Sequence, residues 1–370
     1  MRKCDAKTDN GRQGTTVRQV FMPNHLDEVW DILEREPEAM LYAGGTDLLV
    51  RLRFSPDTSL ETVSGCPEQT VVRRGSSVFC VSKSSETERE RMEPPERNER
   101  VCEGHPDTST HPDGKSGINF TGPPVRRSAG SLICLERIDE LKSIHEVNGQ
   151  VFIGSCVTHT KLIENRLIQK RFPVLIKALK VLGSPPVRNI GTIGGNICTA
   201  SPAGDTLPPL YTLGAVVEIR SIDSNRLVPL KSFIKGPGKT ALQKSEVLYG
   251  VWINADQDYN ICHYEKVGQR KALAIAVASL AAMLKLSESG IIEKAGLAWG
   301  SVAPTIVTSR EIEKALIGKP LAAESLMPVV SLVEKVVSPV DDVRAGADYR
   351  RMVAGNLLFR LLQYRNHGSL

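Results

Sequence analysis

The sequence predicts an α+β fold with a small α+β domain at its C-terminal end, over residues 256–366. Three observations lead to this prediction. Strand-like apolar runs at 215–220 and 247–253 lie among short helical segments, and no regular βαβ repeat organises them. A polar Ser-Glu-Ser-Gly turn also separates apolar runs at 272–286 and 291–299. That pattern predicts an antiparallel hairpin, although the first run is rich in the helix-former alanine.

The N-terminal region is predicted to contain a tail followed by a helix. Residues 1–16 are polar and show no periodicity, so we expect a flexible tail. Asn24 is predicted to cap a helix that runs through Leu33, and the acidic Asp27 and Glu28 favour the positive end of that helix. The apolar residues that recur there at helical spacing are Leu26, Val29, Trp30 and Leu33.

Further elements follow after residue 131. Residues 138–144 and 151–154 are predicted to be strand and turn, with a tight turn at Asn148-Gly149. Thr158 is predicted to cap a helix that reaches about residue 168, and a second helix covers 174–181. A last helix near the C-terminus is predicted from its apolar face, which comprises Met352, Val353, Leu357, Leu358, Leu361 and Leu362.

Composition limits the classes of function. The formal charge is only +5 and aromatic residues make up 5%, so we expect no nucleic-acid partner. The longest apolar run, 272–286, is shorter than the roughly 20 residues that a spanning helix needs, so we expect no membrane span. The eight cysteines form no C-x-x-C pair, which indicates reduced thiols and a cytoplasmic location. They are Cys4, Cys66, Cys80, Cys102, Cys134, Cys156, Cys198 and Cys262.

Residues 55–130 differ in composition from the rest of the chain. They contain eight of the 22 prolines and neither Trp nor Tyr, so their apolar content is too low to offset the entropy of ordering. We therefore predict an insertion that is largely disordered. Its Cys102-Glu103-Gly104-His105 has spacing that zinc ligands can adopt, but the pattern is weak, and we predict no metal site.

Two glycine segments are the most informative feature of the chain: Ala43-Gly44-Gly45-Thr46-Asp47 and Thr192-Ile193-Gly194-Gly195-Asn196. Each stands between apolar runs that resemble strands. Paired glycines let two backbone segments approach one ligand closely and expose their N–H groups, as a pyrophosphate requires. Neither segment matches G-x-G-x-x-G, and neither has the Lys-Ser/Thr ending of a P-loop, so both of those nucleotide sites are disfavoured.

Six motifs, in order along the chain, resemble the FAD-binding medium subunit of the molybdenum hydroxylases, the family that includes xanthine dehydrogenase and carbon monoxide dehydrogenase flavoproteins. Two of these motifs contain the glycine segments. The others are Ala200-Ser201-Pro202-Ala203-Gly204-Asp205, Tyr264-Glu265-Lys266, Gly300-Ser301-Val302-Ala303-Pro304-Thr305 and Asp341-Asp342-Val343-Arg344.

The resemblance implies a fold and a cofactor. The fold is the two-subdomain FAD-binding fold of the molybdopterin dehydrogenase flavoproteins, formed by residues 17–54 and 131–255 and divided by the insertion at 55–130. The small C-terminal domain follows. The implied cofactor is FAD, and the implied contacts come from both glycine segments, Ala43 to Asp47 and Thr192 to Asn196. Ser201 and Asp205 are implied as the next contacts, and Tyr264 as an aromatic residue against the flavin, with Lys266 on the same side of its strand.

Other residues are assigned no chemical role. His159 is predicted to lie on a helix surface, and no residue is predicted to be catalytic on its own. Family members often carry an acidic residue where this chain has Ala274, which leaves the electron acceptor open between NAD, a quinone, ferredoxin and oxygen.

The implied function is that of an FAD subunit in a larger enzyme. It would relay electrons from [2Fe-2S] clusters of a small partner subunit through FAD to an acceptor, while a molybdopterin-binding large subunit hydroxylates the substrate. Two alternatives stay open. One is a self-contained flavoprotein that acts directly on a small molecule, and the other is an assembly subunit without FAD.

Overall fold

The structure is a computed structural model that describes residues 19–46, 69–74, 77–82, 131–270 and 272–365. In chain order the strands are β1 (Val20–Phe21), β2 (Met40–Tyr42), β3 (Gln69–Arg74), β4 (Ser77–Ser82), β5 (Leu132–Cys134), β6 (Ile144–Val147), β7 (Gln150–Gly154), β8 (Val216–Arg220), β9 (Asn225–Pro229), β10 (Ile234–Gly236), β11 (Lys239–Thr240), β12 (Val247–Asn254), β13 (Ile261–Val267), β14 (Ala278–Leu286) and β15 (Ile292–Gly300). The α-helices are α1 (Leu26–Arg35), α2 (His159–Glu164), α3 (Arg166–Arg171), α4 (Pro173–Val181), α5 (Pro185–Ile190), α6 (Ile193–Thr199), α7 (Leu207–Thr212), α8 (Leu230–Phe233), α9 (Arg310–Leu316), α10 (Ala323–Val336) and α11 (Ala347–Asn356). The predicted α+β fold is confirmed.

The chain divides into two units. The first comprises residues 1–17 and 59–123, and its described part is the antiparallel hairpin of β3 and β4. The second comprises residues 18–58 and 124–370 and contains every other element named above. Most of the predicted insertion and the whole predicted N-terminal tail lie outside the described residues, so their predicted disorder stays a prediction.

A small parallel sheet opens the second unit. Its strand order is β1-β5-β2, so the strand that follows the insertion lies between two strands that precede it. Helix α1 packs on this sheet through Val29, Ile32 and Leu33, which are buried together with Ile133. The predicted cap at Asn24 is wrong: the helix begins after His25, and the Asn24 N–H donates instead to a carboxylate of the first turn.

The central sheet is antiparallel with the order β6-β7-β12-β8-β9. Helix α6 packs on it against β12, and buried residues of α4 and α6 share one core with those of β7, β8 and β12. The turn at Asn148-Gly149 is confirmed, with φ of 51° and 73°. The predicted strand at 138–144 is largely wrong, because Asp139–Lys142 forms a 3-10 helix.

Two helices replace the single one that was predicted after Thr158. The Thr158 hydroxyl accepts a hydrogen bond from the Lys161 N–H at 3.3 Å, so the predicted cap is confirmed. Asn165 then ends α2 and caps α3, because its side-chain oxygen accepts from the Ile168 N–H at 3.1 Å. A short polar side chain that can bond to the backbone is thus enough to divide the helix.

The C-terminal region forms the predicted hairpin. Strands β13, β14 and β15 make an antiparallel sheet with helices α9, α10 and α11 against it, and Trp299 is fully buried there. The first strand of the hairpin begins at Ala278 rather than at residue 272. The other face of this sheet contributes to the core of the central sheet through Tyr264, Ala281 and Met283. A 3-10 helix, Leu357–Tyr364, follows α11. In the part of the chain that the structure describes, no helix is long and apolar enough to cross a membrane.

Candidate functional site

The first glycine segment is an irregular turn directly after β2. Gly44 and Gly45 both adopt left-handed backbone conformations, with φ of 68° and 60°. The Gly45 N–H donates to the Ala43 carbonyl oxygen at 2.8 Å, which closes the turn tightly. Consecutive residues in this region of φ are strained for any side chain other than glycine. Asp47 lies outside the described residues, so its predicted contact stays a prediction.

The second glycine segment begins a helix, so the prediction that it stands between two strands is wrong. Thr192 caps α6, and its hydroxyl accepts a hydrogen bond from the Gly195 N–H at 3.0 Å. Neither Gly194 nor Gly195 has a positive φ. A Cβ at Gly194 would lie 2.5 Å from the Cβ of Ser155, so this glycine is required by close packing.

The two segments are in direct contact. A Cβ at Gly44 would lie 1.8 Å from the Ile190 carbonyl oxygen, so the first segment rests on the backbone that leads into α6. A Cβ at Gly195 would lie 3.5 Å from the Ala43 carbonyl oxygen. The structure therefore brings together the two segments that the sequence pairs, although they are far apart along the chain.

Four backbone N–H groups of the second segment, those of residues 193–196, already have protein acceptors. Those of Ile193 and Gly194 donate to the carbonyl oxygens of Val157 and Ser155, at 3.0 and 2.9 Å. Besides the Gly195 bond to the cap, the Asn196 N–H donates to the Thr192 carbonyl oxygen at 3.0 Å. The second segment thus offers its side chains, more than its main chain, to a ligand.

Asp205, Tyr264 and Lys266 form one cluster beside the second segment. The Tyr264 hydroxyl donates to Oδ1 of Asp205 at 3.0 Å, and the Lys266 ammonium donates to Oδ2 at 2.7 Å. Lys266 also donates to the Val181 carbonyl oxygen at 2.8 Å, at the end of α4. The expectation that Tyr264 and Lys266 lie on the same side of one strand is borne out by their shared partner.

Burial governs the ionisation of this cluster. It raises the pKa of Asp205, and the neighbouring Lys266 ammonium and Tyr264 hydroxyl oppose that rise. Burial and the Asp205 carboxylate raise the pKa of Tyr264 well above its usual value, so the phenol keeps its proton and acts as a donor. The Asp205 carboxylate therefore links the loop before α7 to β13, and Lys266 links β13 to the end of α4.

Ser201 and Thr206 flank Asp205 in the same loop. The Ser201 hydroxyl oxygen accepts a hydrogen bond from the Ala203 N–H at 3.3 Å. Thr206 is fully buried, and its hydroxyl donates to Oδ1 of Asn196 at 2.5 Å. Sequence reasoning missed Thr206, and the signal that could have found it is its place directly after the Asp205 motif.

His159 is a second residue that sequence reasoning placed wrongly. It was expected on a helix surface, but it is only 3% exposed, and its ring packs against Gly191. Its Nδ1 is buried and has no hydrogen-bond partner among the residues that the structure describes. Burial lowers the pKa of His159 to about 4, and the nearby Arg188 contributes to this effect, so the imidazole is neutral at physiological pH.

Metal ligands do not cluster in the described residues. No group of three or more His, Cys, Asp or Glu side chains among them could hold a metal ion. The described cysteines Cys134, Cys156, Cys198 and Cys262 are free thiols. Cys66, Cys102 and the other candidate ligands of the insertion lie outside the described side chains.

The contact between the glycine segments fits a phosphate-bearing cofactor. The absence of a Cβ at Gly44 allows two backbone segments to meet, and the amide nitrogen of the half-buried Asn196, directly after Gly195, has no acceptor among the described residues. Glycine at such a junction is what close approach of main chain to a pyrophosphate requires.

Two family models match the chain in succession. The model described as the FAD binding domain in molybdopterin dehydrogenase matches residues 124–253, and that of the CO dehydrogenase flavoprotein C-terminal domain matches residues 263–364. The first glycine segment precedes both matches.

Three curated relatives are each 30% identical to the chain. They are the carbon monoxide dehydrogenase medium chain of Hydrogenophaga pseudoflava (62% of this chain and 80% of the relative), the xanthine dehydrogenase FAD-binding subunit of Escherichia coli O157:H7 (59% and 75%) and the glyceraldehyde dehydrogenase medium chain of Sulfolobus acidocaldarius (69% and 89%).

Solved structures share the fold. Carbon monoxide dehydrogenase from Hydrogenophaga pseudoflava matches with a TM-score of 0.70 and 24% identity, over 95% of this chain and 98% of the other. Quinoline 2-oxidoreductase from Pseudomonas putida 86 matches with a TM-score of 0.70, 22% identity and the same coverage. The family models and the curated relatives thus define an FAD-dependent oxidoreductase subunit. The chain belongs to the FAD-binding subunits of the molybdenum hydroxylase family, to which the xanthine and carbon monoxide dehydrogenase flavoproteins belong.

Proposed function

We propose that this subunit holds FAD across the junction of its two glycine segments and relays electrons from a [2Fe-2S] small subunit to an external acceptor. A molybdopterin-binding large subunit would carry out the hydroxylation of the substrate. The observation that carries the proposal is the close approach of the two segments, because Gly195 lies beside the Ala43 carbonyl oxygen and Gly44 lies against the Ile190 carbonyl oxygen, two residues before the second segment.

The proposed contacts of FAD follow from the site. Ala43, Gly44, Gly45, Thr46 and Asp47 would approach the pyrophosphate from one side. The segment from Thr192 to Asn196, including Ile193, Gly194 and Gly195, would approach from the other side. Ser201 and the Asp205–Tyr264–Lys266 cluster would complete the site at the loop before α7. FAD, when bound, supplies the exchange between one-electron and two-electron transfer.

The protein would contribute binding, orientation and a fixed charge arrangement. Asp205 has two committed partners, Tyr264 and Lys266, so its role in the proposal is to hold the loop and β13 in place. A contact of Tyr264 with the flavin would use its ring, because its hydroxyl is already engaged. A cytoplasmic location of the complex is part of the same proposal.

The first experiment is the visible spectrum of the purified full chain, followed by denaturation and identification of the released flavin. We expect FAD in the wild-type protein and its loss in Gly44→Ala, since that Cβ would meet the Ile190 carbonyl. Gly318→Ala is the matched control, because Gly318 has a φ of 80° but open space around its Cα. Absence of flavin after reconstitution would favour an assembly subunit.

A second experiment addresses the partners. An affinity tag on this chain, expressed in its own organism, should recover a complex whose iron and molybdenum contents are measured by elemental analysis. We expect both metals in that complex. A tagged chain that carries FAD, brings down neither metal and turns over a substrate alone would instead establish a self-contained flavoprotein.

A further inference from the structure

The donors that the second glycine segment can offer to a ligand are few. The backbone N–H groups of Ile193, Gly194, Gly195 and Asn196 all donate to acceptors within the protein, at 2.9 to 3.0 Å. A phosphate oxygen that approached them would have to compete with bonds that also hold α6 in place. Over residues 193–196, the group left to donate is the Asn196 side-chain amide.

Thr206 determines how that amide is oriented. Its hydroxyl is the donor to Oδ1 of Asn196 at 2.5 Å, and a hydroxyl has only one proton to give. With the amide oxygen engaged by a residue that is 0% exposed, the NH₂ group must point away from Thr206. No described residue accepts from that NH₂ group, and Asn196 is only half-buried.

Thr206 is itself held firmly. It directly follows Asp205, which accepts from Tyr264 and Lys266. Its carbonyl oxygen accepts from the Leu210 N–H at 3.1 Å as α7 begins. The position of the hydroxyl is therefore fixed from both sides, and Asn196 is fixed with it.

We propose that Thr206 is a positioning residue, which orients the Asn196 amide so that its two N–H groups face a phosphate of the bound dinucleotide. The inference rests on the proposed function, because it requires FAD at the glycine segments. A preset amide binds more tightly than a freely rotating one, since its rotamer freedom is already lost before the ligand arrives. Thr206 touches no ligand in this proposal and acts through Asn196.

The test is a double-mutant cycle on the full chain after removal of flavin, with the FAD dissociation constant measured by quenching of FAD fluorescence. Thr206→Val keeps the shape but has no proton to donate. We expect it to weaken FAD binding about tenfold, which is the effect of losing the one hydrogen bond that orients the Asn196 amide. Thr206→Ser, which keeps the hydroxyl, should bind FAD as the wild type does. In an Asn196→Ala background, Thr206→Val should have no further effect.

The outcomes separate positioning from a general structural role. A loss of the same size in the Asn196→Ala background, or unchanged binding by Thr206→Val, would overturn the inference while leaving the proposed function intact. Wild-type protein that fails to bind FAD would overturn both. Should Thr206→Val not fold, Asn196→Asp is the second variant. It keeps an acceptor for Thr206 but turns a negative oxygen toward the phosphate, so we expect at least a tenfold loss of FAD affinity, and wild-type affinity would contradict the inference.

Discussion

The two glycine segments share a dipeptide but use it for different physical reasons. In the first, Gly44 and Gly45 are needed because their φ angles are positive and because Gly44 meets the Ile190 carbonyl. In the second, Gly194 and Gly195 are helical, and Gly194 is needed only because Ser155 stands so close. The comparison teaches that the first segment is shaped for approach to the second, whereas the second is an integral part of the folded core. Changes in the second segment should therefore act through the packing of the core, whereas changes at Gly44 should act through its contact with the Ile190 carbonyl.

The largest expected effect in this comparison is a dependence of stability on pH that comes from His159. Its ring packs against Gly191, directly before the second segment. Its folded pKa of about 4 lies below the ordinary value of 6.5, so the unfolded chain binds the proton more readily. Stability is complete above pH 6.5 and falls as pH drops toward 4, by about 3 kcal/mol for this group. Urea unfolding between pH 4 and 7 measures the loss.

The variant His159→Gln isolates that contribution. It should show a smaller change in stability over the same pH range than the wild type does. His263, whose pKa burial also lowers to about 4, will leave a remaining slope. His145→Gln, at an exposed position in β6, is the control and should follow the wild type. An equal slope in the wild type and His159→Gln would contradict the prediction.

The next effect is a packing clash in the second segment. Gly194→Ala places a Cβ 2.5 Å from the Ser155 Cβ and 2.7 Å from the Ser155 carbonyl oxygen. We expect it to lower the free energy of unfolding by about 2 kcal/mol, as overpacking in a tight core does. Chemical denaturation of the flavin-free protein measures this loss. Gly44→Ala combines a positive φ with a Cβ 1.8 Å from the Ile190 carbonyl oxygen, so it should cost at least as much in the same assay, and a smaller loss would show that the first segment can move away from that carbonyl.

A smaller effect is expected at the cap of α6. Thr192→Val removes the hydroxyl that accepts from the Gly195 N–H and leaves that donor without its partner. Loss of an N-cap costs about 1 kcal/mol. Thr192→Ser is the matched control, since it keeps the cap, and its unfolding midpoint should stay close to that of the wild type. Equal midpoints for the Val and Ser variants would show that the cap contributes nothing here.

The smallest effect is predicted for Gly195→Ala. Its Cβ would lie 3.0 Å from the Thr192 hydroxyl oxygen, which is tight, but alanine is favoured over glycine within a helix by about 1 kcal/mol. These terms oppose each other, so we expect a change in stability of less than about 1 kcal/mol. FAD affinity should fall by less than it does in Gly44→Ala. A greater loss of affinity in Gly195→Ala would show that the second segment, rather than the first, meets the cofactor more closely.

The sequence was sufficient where a local signal acts alone. The turn at Asn148-Gly149, the Thr158 cap and the C-terminal hairpin each follow from residues within one turn or one strand pair. The pairing of the two glycine segments was predicted from their glycine pairs and from the resemblance over residues 17–54 and 131–366, and in the structure Gly195 lies beside the Ala43 carbonyl oxygen.

The errors arose where distant packing decides the outcome. A glycine pair does not specify one kind of secondary structure, so the sequence did not predict that a helix begins at Ile193 after the Thr192 cap. His159 follows a capping residue, and such positions are often exposed, but the contact with Gly191 buries it. Thr206 directly follows the Asp205 motif, but the sequence does not show its hydrogen bond to Asn196, because that partner lies on a different element.

The order of strands in the small parallel sheet has a consequence for the timing of biosynthesis. Strands β1 and β2 do not pair with each other, and both pair with β5, which follows the insertion. Backbone hydrogen bonds of Met40 and Leu132 join these strands across the insertion. A ribosome that adds roughly 5–20 residues per second incorporates Leu132 only seconds after it has incorporated Tyr42. During that interval the nascent N-terminal segment has no sheet to join. The first glycine segment, although it is made early, is therefore secured only after translation has passed the insertion.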